Sequence, residues 1–461
     1  SLPVAPADGV DDSPFGCVAP ADMATTLRTL EALATLPPTT LKTSKPFRGF
    51  RKALHPLMAV LGAATAKPAS PSAQVASALA DGRWDDAVAA LKRMKATGDS
   101  LKLGALQRAV HACALDTIHA YDPVALRVLD AIIRVSDPTE TTSSAAGAGS
   151  WRPPPAVLPP PTRPGGGGRV IQHPAWSAVE KPRTVLGASM PPPGKDAFKV
   201  VAHEAAAERR PPNKFPLDIY ASVEAAVKLE GDPGVTRVDV PSIPGVFCMM
   251  NVLTPEECLS VIAAAEAVGY QPDQPLNRPT GSSVPQRAAT VAWLADTTMM
   301  DALFRRCLPH LPPVMDGGPL AGLNARLRLY KYSAGNVYGP HIDGAWPGSG
   351  LVDGAYTWDA FGDRWSRLTF LLYLNDDFEG GSTTFFSPDA AEGVLHARSV
   401  APRAGCVLCF PHGDATGALV HEGSLVTSGF KYIVRTDVLY HVDTRDCAKL
   451  FSRHVEANKQ Q

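Results

Sequence analysis

In Tyr338-Gly-Pro-His341-Ile-Asp343 a histidine and a carboxylate stand two residues apart, and a second histidine, His421, follows far along the chain. Residues i and i+2 of a strand point to one face, so His341 and Asp343 can converge on one point while Ile342 turns away. His421 can join them only from a distant strand that folds back beside the first. The pattern therefore constrains this part of the chain to β-structure with long-range pairing.

The donor types narrow the chemistry. Two imidazoles and one carboxylate holding one face of a metal, with other positions open, suit a non-haem Fe(II) centre. A fourth protein ligand would close the site, as in structural zinc. Lys431 lies ten residues beyond His421, in the strand-like run Lys431-Tyr-Ile-Val-Arg-Thr-Asp-Val-Leu-Tyr440. If that strand passes near the metal, its ammonium can meet the far carboxylate of a bound 2-oxoglutarate. Such a pair at ~4 Å gains roughly 4 kcal/mol at an effective dielectric near ~20, partly offset by desolvation. Arg435 has the same strand parity and is the alternative anchor. His310, His396, His412 and His441 are read as surface or core histidines.

Together with Gly380-Gly-Ser-Thr-Thr-Phe385 and Pro402-Arg-Ala-Gly405, these residues resemble the prolyl 4-hydroxylase type of Fe(II)/2-oxoglutarate-dependent dioxygenase over about 240 to 442. The resemblance implies iron at His341, Asp343 and His421, the far carboxylate of 2-oxoglutarate at Lys431, and Tyr332 near that cosubstrate. It implies O2 as oxidant, ascorbate as supporting reductant, and hydroxylation of a prolyl residue in a protein or peptide, with release of succinate and CO2. Leu372 departs from the pattern, since some relatives carry a tyrosine there. The competing expectation is a vestigial, architectural subunit of an organellar assembly.

The expected fold class is α+β: a double-stranded β-helix (jelly roll) with buttressing helices, preceded by a small helical module and a long Pro/Gly-rich linker. Residues 1–70 are Ala/Pro/Thr-rich and read as loosely structured. Residues 71–136 read as helical: Val88, Leu91 and Met94 form one stripe, Asp85 and Asp86 open that helix, and Gly98 ends it. Leu103, Leu106 and Val110, then Val124, Leu126, Leu129 and Ile132, predict two more helices. This text resembles a pentatricopeptide-type hairpin, which implies a docking partner or an RNA. Residues 137–237 carry Pro153-Pro-Pro, Pro159-Pro-Pro, Gly165-Gly-Gly-Gly and Pro191-Pro-Pro, and read as a linker. The catalytic domain is expected over 238–446 and a tail over 447–461. Within that domain Thr254-Pro-Glu-Glu257 is a helix start, Thr298 to Cys307 a helix, and 325–332 and 367–375 strands.

Between two expected strands, residues 344–366 carry Trp346, Trp358 and Trp365 and predict a lid over the substrate groove. The net charge of -1, from 44 basic and 45 acidic residues, gives no footprint for nucleic acid. Eight scattered cysteines suit a reducing compartment rather than a disulfide framework. Cys406 and Cys409 lie in an apolar run and read as core thiols. No apolar stretch is long enough to span a membrane, and no secretory signal is visible. An intracellular location is expected, whether chloroplast, mitochondrion or cytoplasm.

Overall fold

The computed structural model describes residues 20–37, 40–41, 45–60, 70–113, 121–136, 168–179, 195–205, 216–272 and 288–443. The triple prolines at 153, 159 and 191, residues 165–167 of the glycine run and the tail 447–461 lie outside them. The chain divides into two compact units, Ser1–Ala87 and Val88–Gln461.

The first unit holds helices α1 (Pro20–Ala34), α2 (Arg48–Val60) and α3 (Pro71–Asp81), and α4 (Trp84–Thr97) begins in it. Two of these fall where the composition suggested loose structure. Met23, Leu27 and Leu30 have the i, i+4, i+7 spacing of a helix, which the Ala/Pro/Thr-rich text obscures. In α3, the Ser70 side chain accepts from the Ala73 amide, Pro71 takes the first position, and Gly82 closes the end at φ +69°. Arg51 Nε meets Asp81 Oδ1 at 2.6 Å.

The second unit continues α4, which ends as expected: Gly98 turns left-handed at φ +73° and the Asp99 amide returns to the Met94 carbonyl. Helices α5 (Leu103–Cys113) and α6 (Pro123–Ser136) follow. The strands begin with β1 (Arg169–Gln172), β2 (Phe198–Glu204), β3 (Leu217–Ser222), β4 (Thr236–Asp239) and β5 (Phe247–Met250). Helix α7 (Pro255–Val268), strands β6 (Gln271–Pro272) and β7 (Ala289–Leu294), and helix α8 (Thr297–Cys307) come next. Then come β8 (Val314–Met315), β9 (Gly318–Leu323), β10 (Arg326–Ser333), β11 (Tyr338–His341), β12 (Gly350–Val352), β13 (Ala355–Thr357) and β14 (Arg364–Tyr373). The rest are β15 (Glu379–Gly380), β16 (Thr383–Pro388), β17 (Val394–Val400), β18 (Val407–Pro411), β19 (His421–Gly423), β20 (Val426–Ser428) and β21 (Phe430–His441).

Two sheets form the body. The larger runs β2-β3-β7-β10-β21-β14-β18-β5-β4, with β6, β8 and β9 attached, and the smaller runs β1-β17-β16-β19-β11. Tyr332, Leu371, Tyr373 and Phe410 of the large sheet pack with Phe385 and Val400 of the small one. The opposite face of the large sheet buries Trp293, Phe370, Leu372 and Val434 against Val261 of α7 and Met299 and Leu303 of α8. This is the α+β jelly roll, with helices buttressing one sheet. Strand alternation also separates Cys406 and Cys409, buried in the inter-sheet and helix-side cores respectively, as free thiols.

Residues 137–237 are not simply a linker. β1 pairs in parallel with β17 in the small sheet, and β3 pairs in parallel with β7 in the large one. Leu217, Ile219 and Ala221 of β3 are buried. Short runs between proline clusters cannot bury such residues alone, but a waiting sheet edge lets them. No helix among the described residues is long and apolar enough to cross a membrane.

Candidate metal centre

His341 ends β11 and His421 opens β19, and antiparallel pairing makes them register partners. Their ring centroids are 4.2 Å apart. Asp343 lies just past the strand, with Oδ1 3.6 Å from His341 Nε2 and Oδ2 3.8 Å from His421 Nε2. One donor atom from each residue falls within 4.8 Å of the others, so the three can share an ion.

The backbone sets the tautomers. His341 Nδ1 is 2.9 Å from the Gly339 carbonyl and His421 Nδ1 is 3.2 Å from the Leu419 carbonyl. A carbonyl only accepts, so each Nδ1 carries the proton and each Nε2 keeps its lone pair for a metal. Burial, then the His341 ring, lowers the His421 pKa to about 3, which keeps it in the neutral, ligating form. Burial alone would raise the Asp343 pKa, but Arg435 and the two histidines outweigh it and hold the carboxyl well below its usual range. Two imidazole Nε2 atoms beside an ionised carboxylate fit a divalent cation.

Behind the carboxylate lies a buried polar chain. The Thr369 hydroxyl is 2.7 Å from Asp343 Oδ2, and His412 Nδ1 is 2.7 Å from that hydroxyl. Ser366 Oγ is 2.8 Å from His412 Nε2 and accepts from the Trp346 amide at 2.8 Å. His412 is thus not an ordinary core histidine. Burial, then Arg435, lowers its pKa to about 3, so it is neutral. Sequence reasoning missed Thr369 and His412. The available signal was a hydroxyl in the otherwise apolar run 368–374.

Lys431 faces the same cleft as the ligands. It is 2% exposed, and its Nζ donates to the Gly381 carbonyl at 2.6 Å. The Tyr332 and Tyr373 rings lie 5.3 and 5.7 Å from it. Burial lowers its pKa to about 7, and no carboxylate pairs with it among the described residues. Arg435, the alternative anchor, is already engaged: its Nε is 3.4 Å from Asp343 Oδ2 and its Nη2 3.1 Å from Asp437 Oδ1. Tyr332 is register partner of Lys431 and lines the cleft. Leu372 faces the helix side, whereas Tyr373 faces the cleft side and reaches Thr383 Oγ1 at 2.8 Å. The departure at Leu372 thus leaves a tyrosine beside Lys431, one residue along.

The long loop is more ordered than its sequence suggested. It contains the β12–β13 hairpin, and its tryptophans pack edge-on in series: Trp346 to Trp358 at 6.4 Å and Trp358 to Trp365 at 5.9 Å. Trp365 is buried at the start of β14. None of the three rings lines the metal cleft.

Residues 327–436 match the model of the 2OG-Fe(II) oxygenase superfamily. No curated protein matches the chain. Among solved structures, the chain is similar to the viral collagen prolyl hydroxylase of Paramecium Bursaria Chlorella virus-1, at 18% identity over 45% of this chain and 96% of that one, TM-score 0.27. It is also similar to a Pseudomonas putida prolyl-4-hydroxylase, at 19% identity over 42% of this chain and 91% of that one, TM-score 0.26. A Trichoplax adhaerens prolyl hydroxylase, solved with a hypoxia inducible factor peptide, matches at 17% identity over 44% of this chain and 86% of that one, TM-score 0.28.

Proposed function

Because residues 327–436 form a domain of the 2OG-Fe(II) oxygenase superfamily, we propose that this chain is a dioxygenase that hydroxylates a substrate C–H bond. In this reading His341, Asp343 and His421 hold Fe(II). Lys431 receives the far carboxylate of 2-oxoglutarate, with the Tyr332 ring packed beside it. Arg435 serves Asp343 rather than the cosubstrate. Bound iron, 2-oxoglutarate and O2 supply the oxidising power, and succinate and CO2 leave as co-products. The protein's own task is to orient the ligands, exclude water and place one C–H bond. The proposed substrate is a prolyl residue of a protein, after the motif resemblance, with ascorbate sustaining turnover.

The observation that carries the reading is the pairing, in one cleft, of three converging metal donors with a buried lysine that has no carboxylate partner among the described residues. An anion with a second carboxylate supplies what that lysine lacks. Anaerobic titration of the full chain with Fe(II) and 2-oxoglutarate tests it. A saturable visible charge-transfer band is expected, and His421→Ala should abolish both band and turnover. Folded protein with no band would remove the dioxygenase reading and favour the architectural one.

A further inference from the structure

Outside the region matched by the superfamily, α5 and α6 pack against the small sheet that carries both histidine ligands. Their contacts fall beside the ligands themselves. Strand β11 stops at His341, so the Ile342 carbonyl, in the residue between His341 and Asp343, lacks a ladder partner there. Gln107 Nε2 on α5 donates to it at 3.1 Å. The same amide nitrogen lies 3.5 Å from where a Cβ would stand on Gly344, the residue after Asp343. The Gly413 amide donates to the Asp343 carbonyl at 3.0 Å and Arg435 Nη2 to the Gly344 carbonyl at 3.4 Å, so Gln107 joins these groups in holding the backbone around that ligand.

The other histidine strand is gripped in the same way. Glu422 follows His421 and points to the opposite face of β19, where it is buried. Its Oε1 accepts from the Tyr121 hydroxyl at 2.7 Å, and the Tyr121 ring packs edge-on against Phe386, centroids 5.8 Å apart. Two further contacts fix the helices. Asp130 Oδ2 accepts from the Gly393 amide at 2.7 Å, and Arg134 donates to the Asp389 and Ala391 carbonyls at 2.5 and 3.1 Å.

We propose that Gln107 and Tyr121 are positioning residues for the metal centre: the helical module works in cis, setting the Asp343 peptide and the His421 strand from outside the barrel. The inference rests on the metal reading above. Both side chains act on groups covalently next to ligands, so their loss should loosen ligand geometry without opening a core. The outer partners of metal ligands typically carry tenfold or more in affinity, and backbone grips one step further out should carry about three- to tenfold.

The test is Co(II) binding to this whole chain, followed by visible absorption without 2-oxoglutarate. Gln107→Leu and Tyr121→Phe should each weaken Co(II) binding about three- to tenfold and shift its absorption band, in variants that remain folded at the assay temperature. Lys92→Ala, which removes only the exposed 2.5 Å pair from α4 to Glu392, should change neither. If Gln107→Leu does not fold, Tyr121→Phe, which loses one hydroxyl, decides alone. Folded variants that bind Co(II) with wild-type affinity and spectrum would overturn the inference and leave the metal reading intact. Wild-type protein that binds no Co(II) would overturn both.

Discussion

Asp343 Oδ2 accepts the only hydrogen of the Thr369 hydroxyl across 2.7 Å, and this direction propagates. With its hydrogen committed, Thr369 Oγ1 must accept from His412 Nδ1, so His412 Nε2 must accept from Ser366. The chain orients the carboxylate that completes the metal triad. Thr369→Val keeps the shape and removes the donor, so Asp343 is expected to swing more freely. Metal affinity should fall about tenfold or more, while Thr369→Ser stays near wild type. Equal Fe(II) affinities for wild type and Thr369→Val would show that Arg435 alone orients Asp343.

The contrast between His341 and His412 shows what the sequence could disclose. His341 and Asp343 were legible because their spacing is local, two residues apart, and Lys431 because it stands in a strand-like run ten residues beyond His421. His412 was passed over because its role depends on Thr369, Ser366 and Asp343, which come from other segments. The same holds for Gln107 and Tyr121, whose partners lie more than two hundred residues away. Helices α5 and α6 were legible from apolar spacing, but the face they cover was not. Strands β1 and β3 were missed because each is too short to bury its side chains without a sheet formed by later residues.

Lys431 should make cosubstrate binding sensitive to pH. Burial holds the pKa of the ligand-free lysine at about 7, and a carboxylate requires the ammonium. Below about 7 the charged form is in place. As pH rises above it, binding must first take up a proton, so affinity for 2-oxoglutarate is expected to fall by up to about tenfold per pH unit. Lys431→Met should raise the KM for 2-oxoglutarate by about one to two orders of magnitude at neutral pH and flatten this dependence. For stability the sign is opposite. The folded pKa lies below that of an unfolded lysine, so the ligand-free protein gains stability as pH rises from about 7 towards about 10.4. A KM that ignores both pH and Lys431→Met would move the anchor to Arg435.

Gly381 joins the Gly-Gly motif to that lysine. Its carbonyl accepts the Lys431 hydrogen bond, and its φ of +64° suits glycine. A Cβ there would fall 2.8 Å from the Phe378 ring and 3.2 Å from Lys431 Cδ. Gly381→Ala is therefore expected to destabilise the fold by about 1–3 kcal/mol and to raise the KM for 2-oxoglutarate with little change in kcat. Chemical denaturation and steady-state kinetics read the two effects separately. A stable variant with wild-type KM would show that the Gly381 carbonyl does not set the lysine.

Far from the metal, the start of α7 predicts a stability effect with its own pH signature. The Thr254 side chain accepts from the Glu257 amide, and Glu257 Oε2 accepts from the Thr254 amide at 2.9 Å, which is the capping box expected from Thr254-Pro-Glu-Glu257. The sequence did not disclose that Glu257 also takes the Arg306 guanidinium in a two-pronged pair at 2.8 Å and 2.8 Å, with both side chains buried. Removing the carboxylate leaves Arg306 to the carbonyls of Val252, Glu230 and Gly231 without a counter-charge. Glu257→Ala is expected to cost about 3–5 kcal/mol, more than the ~1 kcal/mol of a lost cap. Burial alone would raise the Glu257 pKa, but the Arg306 and amide hydrogen bonds more than offset it, so the folded value lies below the unfolded one. That contribution is present above the unfolded glutamate value, about 4.3, and is lost as pH falls through the folded value. The stability gap between wild type and Glu257→Gln should therefore be full at pH 7 and shrink below about pH 4. Urea unfolding at the two pH values measures it, and a gap that is constant with pH would mean that Arg306 does not depend on the ionised carboxylate.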